Sequence, residues 1–214
     1  MKKILGLAAL ALAVAAPAVQ AQVKDTGSFL VRLRATHLDS SNTNDGQLKA
    51  TLTSLGSSEA SINNKWLPEL DISYFFTPNV AVELILTYPQ KQDLSATNLG
   101  VIGTFKHLPP TLTAQYHFTG LGGFRPYVGA GLNYTNISDV KWGATAQSLG
   151  LNLKRNSYGL AAQVGVDVPM AGGWLLNVDV KKVQIKTDVS SKGTKIGVFK
   201  VDPMLVSVGF GLRF

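Results

Sequence analysis

Charged residues recur two positions apart in several segments of the chain, and this spacing points to ion-pair chemistry on one face of a strand. Arg32 and Arg34 are separated by one residue, and so are Asp179 and Lys181. Because alternate residues of a β-strand point to the same side, each pair places both of its charges on one face. The other charged residues on equivalent faces are Glu69, Asp71, Glu83, Asp167 and Arg213. We expect these side chains to form an interior ion-pair network that holds the strands together, rather than a path for ions.

Hydrolytic chemistry requires a nucleophile, a base and an orienting acid within reach of one another. His37 is followed closely by Ser40 and Ser41, but these serines fall in a polar loop with no matching acid. The Gly129-Ala130-Gly131 run lacks the third glycine and the helix of a dinucleotide fingerprint. The chain has no cysteine, which excludes a disulfide scaffold and a thiolate metal site. We therefore expect no enzyme activity and no cofactor.

The N-terminus has the features of a secretory signal peptide. Lys2 and Lys3 form a basic start, an apolar stretch follows over residues 4–16, and Val19-Gln20-Ala21 has cleavage-site spacing. A membrane anchor would need about 20 apolar residues, which is more than this stretch offers. We predict a signal peptide over residues 1–21 and a mature domain over residues 22–214. A charged fraction of 15% with 21 glycines suits a β-rich domain.

Eight segments of the mature chain alternate between apolar and polar residues with the period of two that is typical of strands. The last segment shows this most clearly, because Val208, Phe210, Leu212 and Phe214 share one face. The predicted strands cover residues 28–38, 67–76, 80–88, 108–118, 128–135, 158–168, 174–181 and a final segment that begins near 196 or 201.

The two faces of these segments decide between a soluble and a membrane barrel. A lipocalin-like soluble barrel would bury the charged face and expose Leu, Val, Phe and Tyr, at a cost of several kcal/mol for each unpaired charge. Short turns at 77–79, 119–125 and 169–173 alternate with long polar loops at 39–65, 89–106, 137–156 and 186–195. The sequence therefore predicts an all-β, eight-stranded antiparallel transmembrane barrel of the Gram-negative outer membrane, with periplasmic turns and extracellular loops. The terminal Phe214 is our candidate assembly signal.

Several runs resemble the OmpW family of outer membrane proteins, which includes AlkL-like members. These runs are 71–76, 79–84, 107–112, 125–134, 163–167, 174–177 and 201–203. The resemblance extends over the mature chain in order. It implies an eight-stranded barrel that passes small hydrophobic molecules across the outer membrane without an energy source.

A proline-rich rim joins the third and fourth predicted strands on the extracellular side. The third strand ends at Tyr88-Pro89, and the fourth begins with Leu108, Pro109 and Pro110. Proline has no N–H for the ladder, so missing bonds here would open a lateral exit into the bilayer. The alternative is that these prolines only end the two strands.

The route to such an exit would pass through the barrel lumen. Our candidates for its lining or gate are Leu30, Phe75, Glu83, Ile85 and Lys181. The resemblance implies a hydrophobic constriction with an aromatic residue opposite Ile85, where this chain has Lys181. We expect Lys181 to pair with Glu83 or Asp179 and to plug the lower lumen.

Apolar residues in the first and third long loops are candidates for a funnel over the barrel mouth. They are Leu52, Leu55, Trp142 and Leu151. Loop leucines more often pack as a cap than bind a ligand.

Without Lys2 and Lys3 of the predicted signal peptide, the formal charge of +7 falls to +5 for the mature chain, which is compatible with contact to lipopolysaccharide phosphates. The expected partners are outer-membrane lipid and lipopolysaccharide, small hydrophobic solutes and the outer-membrane assembly machinery. Nucleic acid is excluded because no basic stripe carries interleaved aromatic residues. Two alternatives stay open: a non-conducting structural or surface-recognition barrel that contacts phage, bacteriocins or host, and a lipid-modifying enzyme.

Overall fold

The computed structural model describes residues 28–214, which form an eight-stranded antiparallel β-barrel with a folded extension at one end. The predicted signal peptide lies outside the described residues. Within residues 28–214, no helix combines the length and the apolar character needed to span a bilayer. The predicted fold class is confirmed.

The barrel strands are β1 (Phe29–Asp39), β4 (Lys65–Phe75), β5 (Val80–Leu86), β8 (Thr111–His117), β9 (Arg125–Trp142), β11 (Asn156–Pro169), β12 (Trp174–Val183) and β15 (Met204–Arg213). Each pairs with the next barrel strand along the chain, and β1 pairs with β15, with Leu30 opposite Arg213. Closure leaves no free edge, so every strand has a hydrogen-bonded neighbour on both sides.

The remaining elements form the extension. They are β2 (Thr43–Asn44), α1 (Gly46–Ser54), β3 (Ala60–Ile62), β6 (Gln90–Ala96), β7 (Gly100–Leu108), α2 (Ala144–Ser148), β10 (Leu151–Leu153), β13 (Lys186–Ser191) and β14 (Thr194–Lys200). Strands β7, β6 and β3 continue the barrel sheet from β9, while β10, β13, β14 and β2 form a second sheet. The Asp45 carboxylate caps α1 by accepting from the Leu48 N–H at 2.8 Å.

The extension corrects two predictions. The four long connections are not simple loops, because each contributes strands or a helix whose inward faces share one apolar cluster. The early start of the eighth strand at Ile196 is wrong, since this residue belongs to β14 and the barrel strand begins at Met204. The inward positions of these strands carry both polar and apolar residues, such as Gln92 and Leu94 in β6. Because the regular alternation is lost, the sequence pattern does not identify these strands.

The orientation of side chains is the one predicted for a membrane barrel. Arg32 and Arg34 are buried inside, while Leu33 between them is 64% exposed on the outer surface. The same alternation leaves Tyr158 72% exposed. Outward apolar residues and inward charges require a hydrocarbon surrounding, so these eight strands cross the outer membrane.

Aromatic side chains mark the two edges of the lipid-facing surface. Near the short turns, Tyr116 and Phe118 lie 5.1 Å apart in an edge contact. The terminal Phe214 lies 6.4 Å from Phe29, and its N–H donates to the Phe29 carbonyl at 2.9 Å. At the other edge, Tyr134 on β9 lies 5.2 Å from Tyr158 on β11. These rings sit where aromatic girdles flank an apolar band.

Candidate functional site

An ion-pair network fills the middle of the lumen. The Arg32 guanidinium bonds Glu83 at 2.6 Å on one side and Asp167 at 2.6 Å on the other. Arg34, one step higher on β1, lies 3.0 Å from Glu69 and 2.6 Å from Asp71. These side chains are almost completely buried, so each charge depends on its partners for stability. The network joins strands that are far apart around the barrel.

Lys181 forms the upper boundary of this network. Its ammonium donates to Glu69 at 2.8 Å and to Asp179 at 2.8 Å. The predicted pairing with Asp179 is therefore present, whereas Glu83 is held by Arg32 instead of Lys181. Glu69 reaches Lys181 across the lumen because its β4 position stands higher than that of Glu83.

Tyr127 is a member of the network that was not among the predicted site residues. Its hydroxyl donates to Asp179 at 2.8 Å and accepts from the Asn177 amide at 3.1 Å. Tyr127 precedes the first residue assigned to the fifth predicted strand, Val128. Tyr127 lies two residues before Gly129 and four before Gly131, and residues at this spacing share one face of a strand. This spacing indicates that Tyr127 points inward with the two glycines.

A small cavity of about 30 Å³ lies directly above Lys181, and we call it the lumen cavity. Its lining is mainly apolar and comprises Leu38, Leu67, Glu69, Ile85, Thr87, Gln90, His107, Pro109, Thr111, Asn133, Lys181, Val183, Ile185, Pro203 and Leu205. The Lys181 and Glu69 ion pair forms its floor. His107 lies on β7, outside the membrane-spanning strands, and burial together with nearby Lys65 lowers the pKa of its imidazole to about 4. Neutral His107 thus adds no charge to this cavity.

Three of the five predicted gate residues lie outside the lumen cavity, and one of these, Glu83, belongs to the ion-pair network below it. Leu30 and Phe75 pack with Ala81 and Leu175 at the periplasmic end, below the ion-pair network. They do not share a space with Ile85, because the network lies between them and the lumen cavity. The parity of a residue, that is, its odd or even position in the strand, correctly predicted that these side chains point inward. Parity carries no information on height along the barrel.

The wall between β5 and β8 is interrupted beside the lumen cavity. The ladder runs up to Ile85 opposite Thr111 and resumes at Gln90 opposite His107. Among the described residues, no residue of segment 86–89 pairs with a residue of segment 108–110. We call this interruption of the ladder the gap. Strand β5 ends at Leu86, earlier than the predicted Tyr88-Pro89, and Leu108 closes β7 instead of opening β8.

Side-chain amides satisfy carbonyl groups that border the gap. Asn133 donates to the carbonyls of Pro109 and Pro110, each at 3.3 Å. Gln90 donates to the Tyr88 carbonyl at 3.0 Å. The Pro110 carbonyl also accepts from the Tyr134 N–H of β9 at 3.1 Å, so the interrupted wall does not leave these carbonyls without partners. All five residues of the predicted exit therefore lie at or beside the gap.

The four predicted funnel residues meet in a second cavity, which we call the extracellular cavity. Leu52 at the end of α1 and Leu55 just after it face Trp142 and Leu151 across a space of about 40 Å³ that presents only apolar surface. An apolar cluster joins the two cavities, because it includes Val183 and Ile185 of the lumen cavity and Leu153 and Phe199 of the extracellular cavity.

Sequence comparisons identify relatives along the whole barrel. The OmpW family model matches residues 25–214. Outer membrane protein W of Vibrio cholerae is 34% identical, with 99% of this chain and 98% of that protein covered. The dibenzothiophene metabolism operon protein PahQ of Pseudomonas aeruginosa is 30% identical over 74% of this chain and 75% of that protein.

Solved structures show the same architecture. The crystal structure of OprG from Pseudomonas aeruginosa has a TM-score of 0.72 at 28% identity, covering 88% of this chain and 96% of that one. The solid-state NMR structure of AlkL in lipid bilayers has a TM-score of 0.62 at 27% identity, covering 92% and 94%. The closed barrel, its lipid-facing surface and these matches together show that the chain belongs to the OmpW family of outer membrane proteins.

Proposed function

We propose that this protein is a passive channel for small hydrophobic molecules, which enter from the extracellular side and leave sideways into the bilayer through the gap. The observation that carries the proposal is the position of the lumen cavity. Its floor is the Lys181 and Glu69 ion pair, and Thr87, Gln90, His107 and Pro109 of its wall border the gap.

The ionic floor favours the sideways route over passage into the periplasm. A solute moving straight down would have to separate buried ion pairs around Arg34 and Lys181, which costs several kcal/mol for each charge left uncompensated. The solute would also move from an apolar lining into charged surroundings. Movement through the gap crosses no ladder bond and ends in hydrocarbon, where an apolar solute is most stable.

The extracellular cavity supplies an entrance of matching chemistry. Its apolar lining removes hydrophobic surface from water at about 25 cal/mol for each Å² buried. The apolar cluster below it continues through Phe105 and Ile137 toward the lumen cavity. A solute moving along this cluster would exchange one apolar contact for another, provided that side chains move to admit it.

Initial rates of uptake test this function. Intact cells with and without the protein receive a labelled medium-chain alkane or aromatic hydrocarbon, and a small hydrophilic sugar in parallel. We expect faster hydrocarbon entry and unchanged sugar entry. Equal hydrocarbon rates with folded protein present in the membrane would overturn the proposal.

The second candidate is a non-conducting barrel that acts in surface recognition. The observation in its favour is the folded extension, in which two sheets and α1 form an ordered platform above the membrane. This function predicts that changes in exposed extension residues alter phage, bacteriocin or host binding, while changes at the gap have no effect.

A further inference from the structure

The charge of the chain is distributed unevenly between the barrel and its extension. The segments 40–66, 87–110, 137–155 and 184–203, which lie at or above the outer aromatic edge, contain 11 Lys or Arg residues and 6 Asp or Glu residues. Inside the barrel, basic and acidic side chains compensate each other in the ion-pair network. The excess positive charge therefore belongs to the part that faces outward from the membrane.

Three lysines of the extension share one outward face, and we call them the lysine patch: Lys91 on β6, Lys106 on β7 and Lys141 on β9. Lys91 is directly opposite Lys106 in the ladder, and Lys141 is opposite Thr104, two residues before Lys106. Like charges that face each other across strands destabilise a sheet, so an anion bound between them would relieve repulsion.

The patch surrounds a surface concavity of about 150 Å³ lined by Lys91, Thr104, Phe105, Lys106, Asp139 and Lys141. Asp139 supplies the only carboxylate in this lining, and it lies 2.7 Å from the Lys106 ammonium. A hydrogen bond from Lys106 and the charges of Lys106, Lys141 and Arg155 lower the pKa of the Asp139 carboxyl. One carboxylate among these cations leaves the concavity with an excess of positive charge.

The height of the patch matches the headgroup zone of the outer leaflet. Lys106 is opposite Ser138, four residues beyond the girdle residue Tyr134 on the same face of β9. Four residues of strand rise about 13 Å, or about 10 Å in height for a strand tilted by about 40°. Phosphate groups of an outer-leaflet lipid lie just above the hydrocarbon, within reach of lysine side chains at this height.

We propose that the lysine patch binds a phosphate group of the phosphorylated glycolipid in the outer leaflet, that is, the lipid A part of lipopolysaccharide. Lys91 and Lys106 flank the top of the gap, because their ladder partnership begins next to Gln90 and His107. A glycolipid held there would position its headgroup beside the opening in the wall. This inference rests on charge and position alone, and it does not depend on transport.

Residue-resolved protection of lysines from an amine-reactive reagent tests the site in the full-length folded protein. The protein is placed in phosphatidylcholine nanodiscs with diphosphoryl lipid A, with lipid A stripped of phosphate, or with inorganic phosphate in solution. We expect diphosphoryl lipid A to slow labelling of Lys91, Lys106 and Lys141 by at least about tenfold, in keeping with the strength of charge-assisted hydrogen bonds. Protection by inorganic phosphate alone, or by phosphate-free lipid A, would overturn the glycolipid assignment.

A matched set of lysines separates a specific site from general surface charge. Lys49, Lys186 and Lys200 are exposed on the extension, and Lys186 is also opposite Lys200 in the ladder. We expect their labelling to be unaffected. The variant Lys91→Gln, Lys106→Gln, Lys141→Gln should lose about 100-fold in lipid A affinity, while Lys49→Gln, Lys186→Gln, Lys200→Gln keeps it within about threefold. Equal losses in both variants would overturn the proposal.

Discussion

The ammonium of Lys181 lies 2.8 Å from the carboxylate of Glu69, and this buried pair closes the bottom of the lumen cavity. Replacing Lys181 by Met removes the cation closest to both Glu69 and Asp179 and leaves Arg34 to compensate the two carboxylates. We predict that Lys181→Met lowers the free energy of unfolding by about 3–5 kcal/mol, the usual cost of removing one member of a buried ion pair. Urea unfolding in detergent micelles or lipid vesicles measures this change.

The neighbouring Lys182 provides the control, since its ammonium reaches exposed partners at Ser41 and Asp202. Lys182→Met should cost less than about 1 kcal/mol. The double variant Lys181→Met, Glu69→Gln should recover part of the lost stability, because it removes the excess buried negative charge that loss of Lys181 creates. Equal costs for the two lysines would show that the floor is not a buried ion pair in the membrane.

A reversible crosslink across the gap tests lateral release. Leu86 and Pro110 follow the last ladder pair, Ile85 with Thr111, and the chain has no cysteine to interfere. Oxidation of the Leu86→Cys, Pro110→Cys variant should reduce hydrocarbon uptake by at least about fivefold, since a disulfide holds Cα atoms within about 7 Å. Reduction of the same sample should restore uptake.

The control for this crosslink is the pair Leu84 and Leu112, which already face each other within the ladder. Oxidation of Leu84→Cys, Leu112→Cys should leave uptake unchanged. Sugar uptake is measured in both variants to detect general leakage. Full hydrocarbon uptake through an oxidised gap, with the disulfide verified by mass spectrometry, would exclude this exit.

Close approach of β8 and β9 gives a prediction for stability. A Cβ at Gly131 would overlap the backbone of Leu112 and Thr113, whereas a Cβ at Gly129 would mainly meet the flexible Gln163 side chain at 2.8 Å. We predict that Gly131→Ala destabilises the barrel by about 3 kcal/mol and Gly129→Ala by about 1 kcal/mol. Urea midpoints of the two variants, compared under one condition, check this order, and a reversed order would contradict the packing described for β8 and β9.

His107 predicts a specific pH dependence of stability. Its pKa of about 4 in the folded protein lies below the ordinary value of 6.5. The unfolded chain therefore binds a proton as the pH falls below about 6.5, while the folded protein does not until about pH 4. This residue's contribution is fully present above pH 6.5 and declines by up to about 3 kcal/mol toward pH 4.

The measurement compares unfolding free energies of the wild type and His107→Gln at pH 7 and pH 4.5. Carboxylates titrate in both proteins, so only the difference between them reports on His107. We expect the variant to lose less stability on acidification. Parallel losses would show that His107 is accessible to protons in the folded state.

The alternation of apolar and polar residues was sufficient to predict the membrane barrel, because the lipid-facing and lumen-facing sides of each strand require side chains of opposite polarity. Leu33 must contact lipid while Arg32 and Arg34 must find partners, and a period of two is the only way for a strand to meet both demands. The extension was not predicted, since residues such as Gln92 face its interior beside Leu94 and weaken the contrast. A sequence pattern detects strands only where the two faces differ in polarity.

Residue type and parity thus established the fold class, the inward set of charges and the proline-rich rim from the chain alone. Register and height required three-dimensional coordinates. Lys181 pairs with Asp179, as predicted, and with Glu69 but not with Glu83; Leu30 lies below the network while Ile85 lies above it. The physical reason is that parity defines only the side of a strand, whereas partners in a closed barrel depend on the stagger of strands that are distant in sequence.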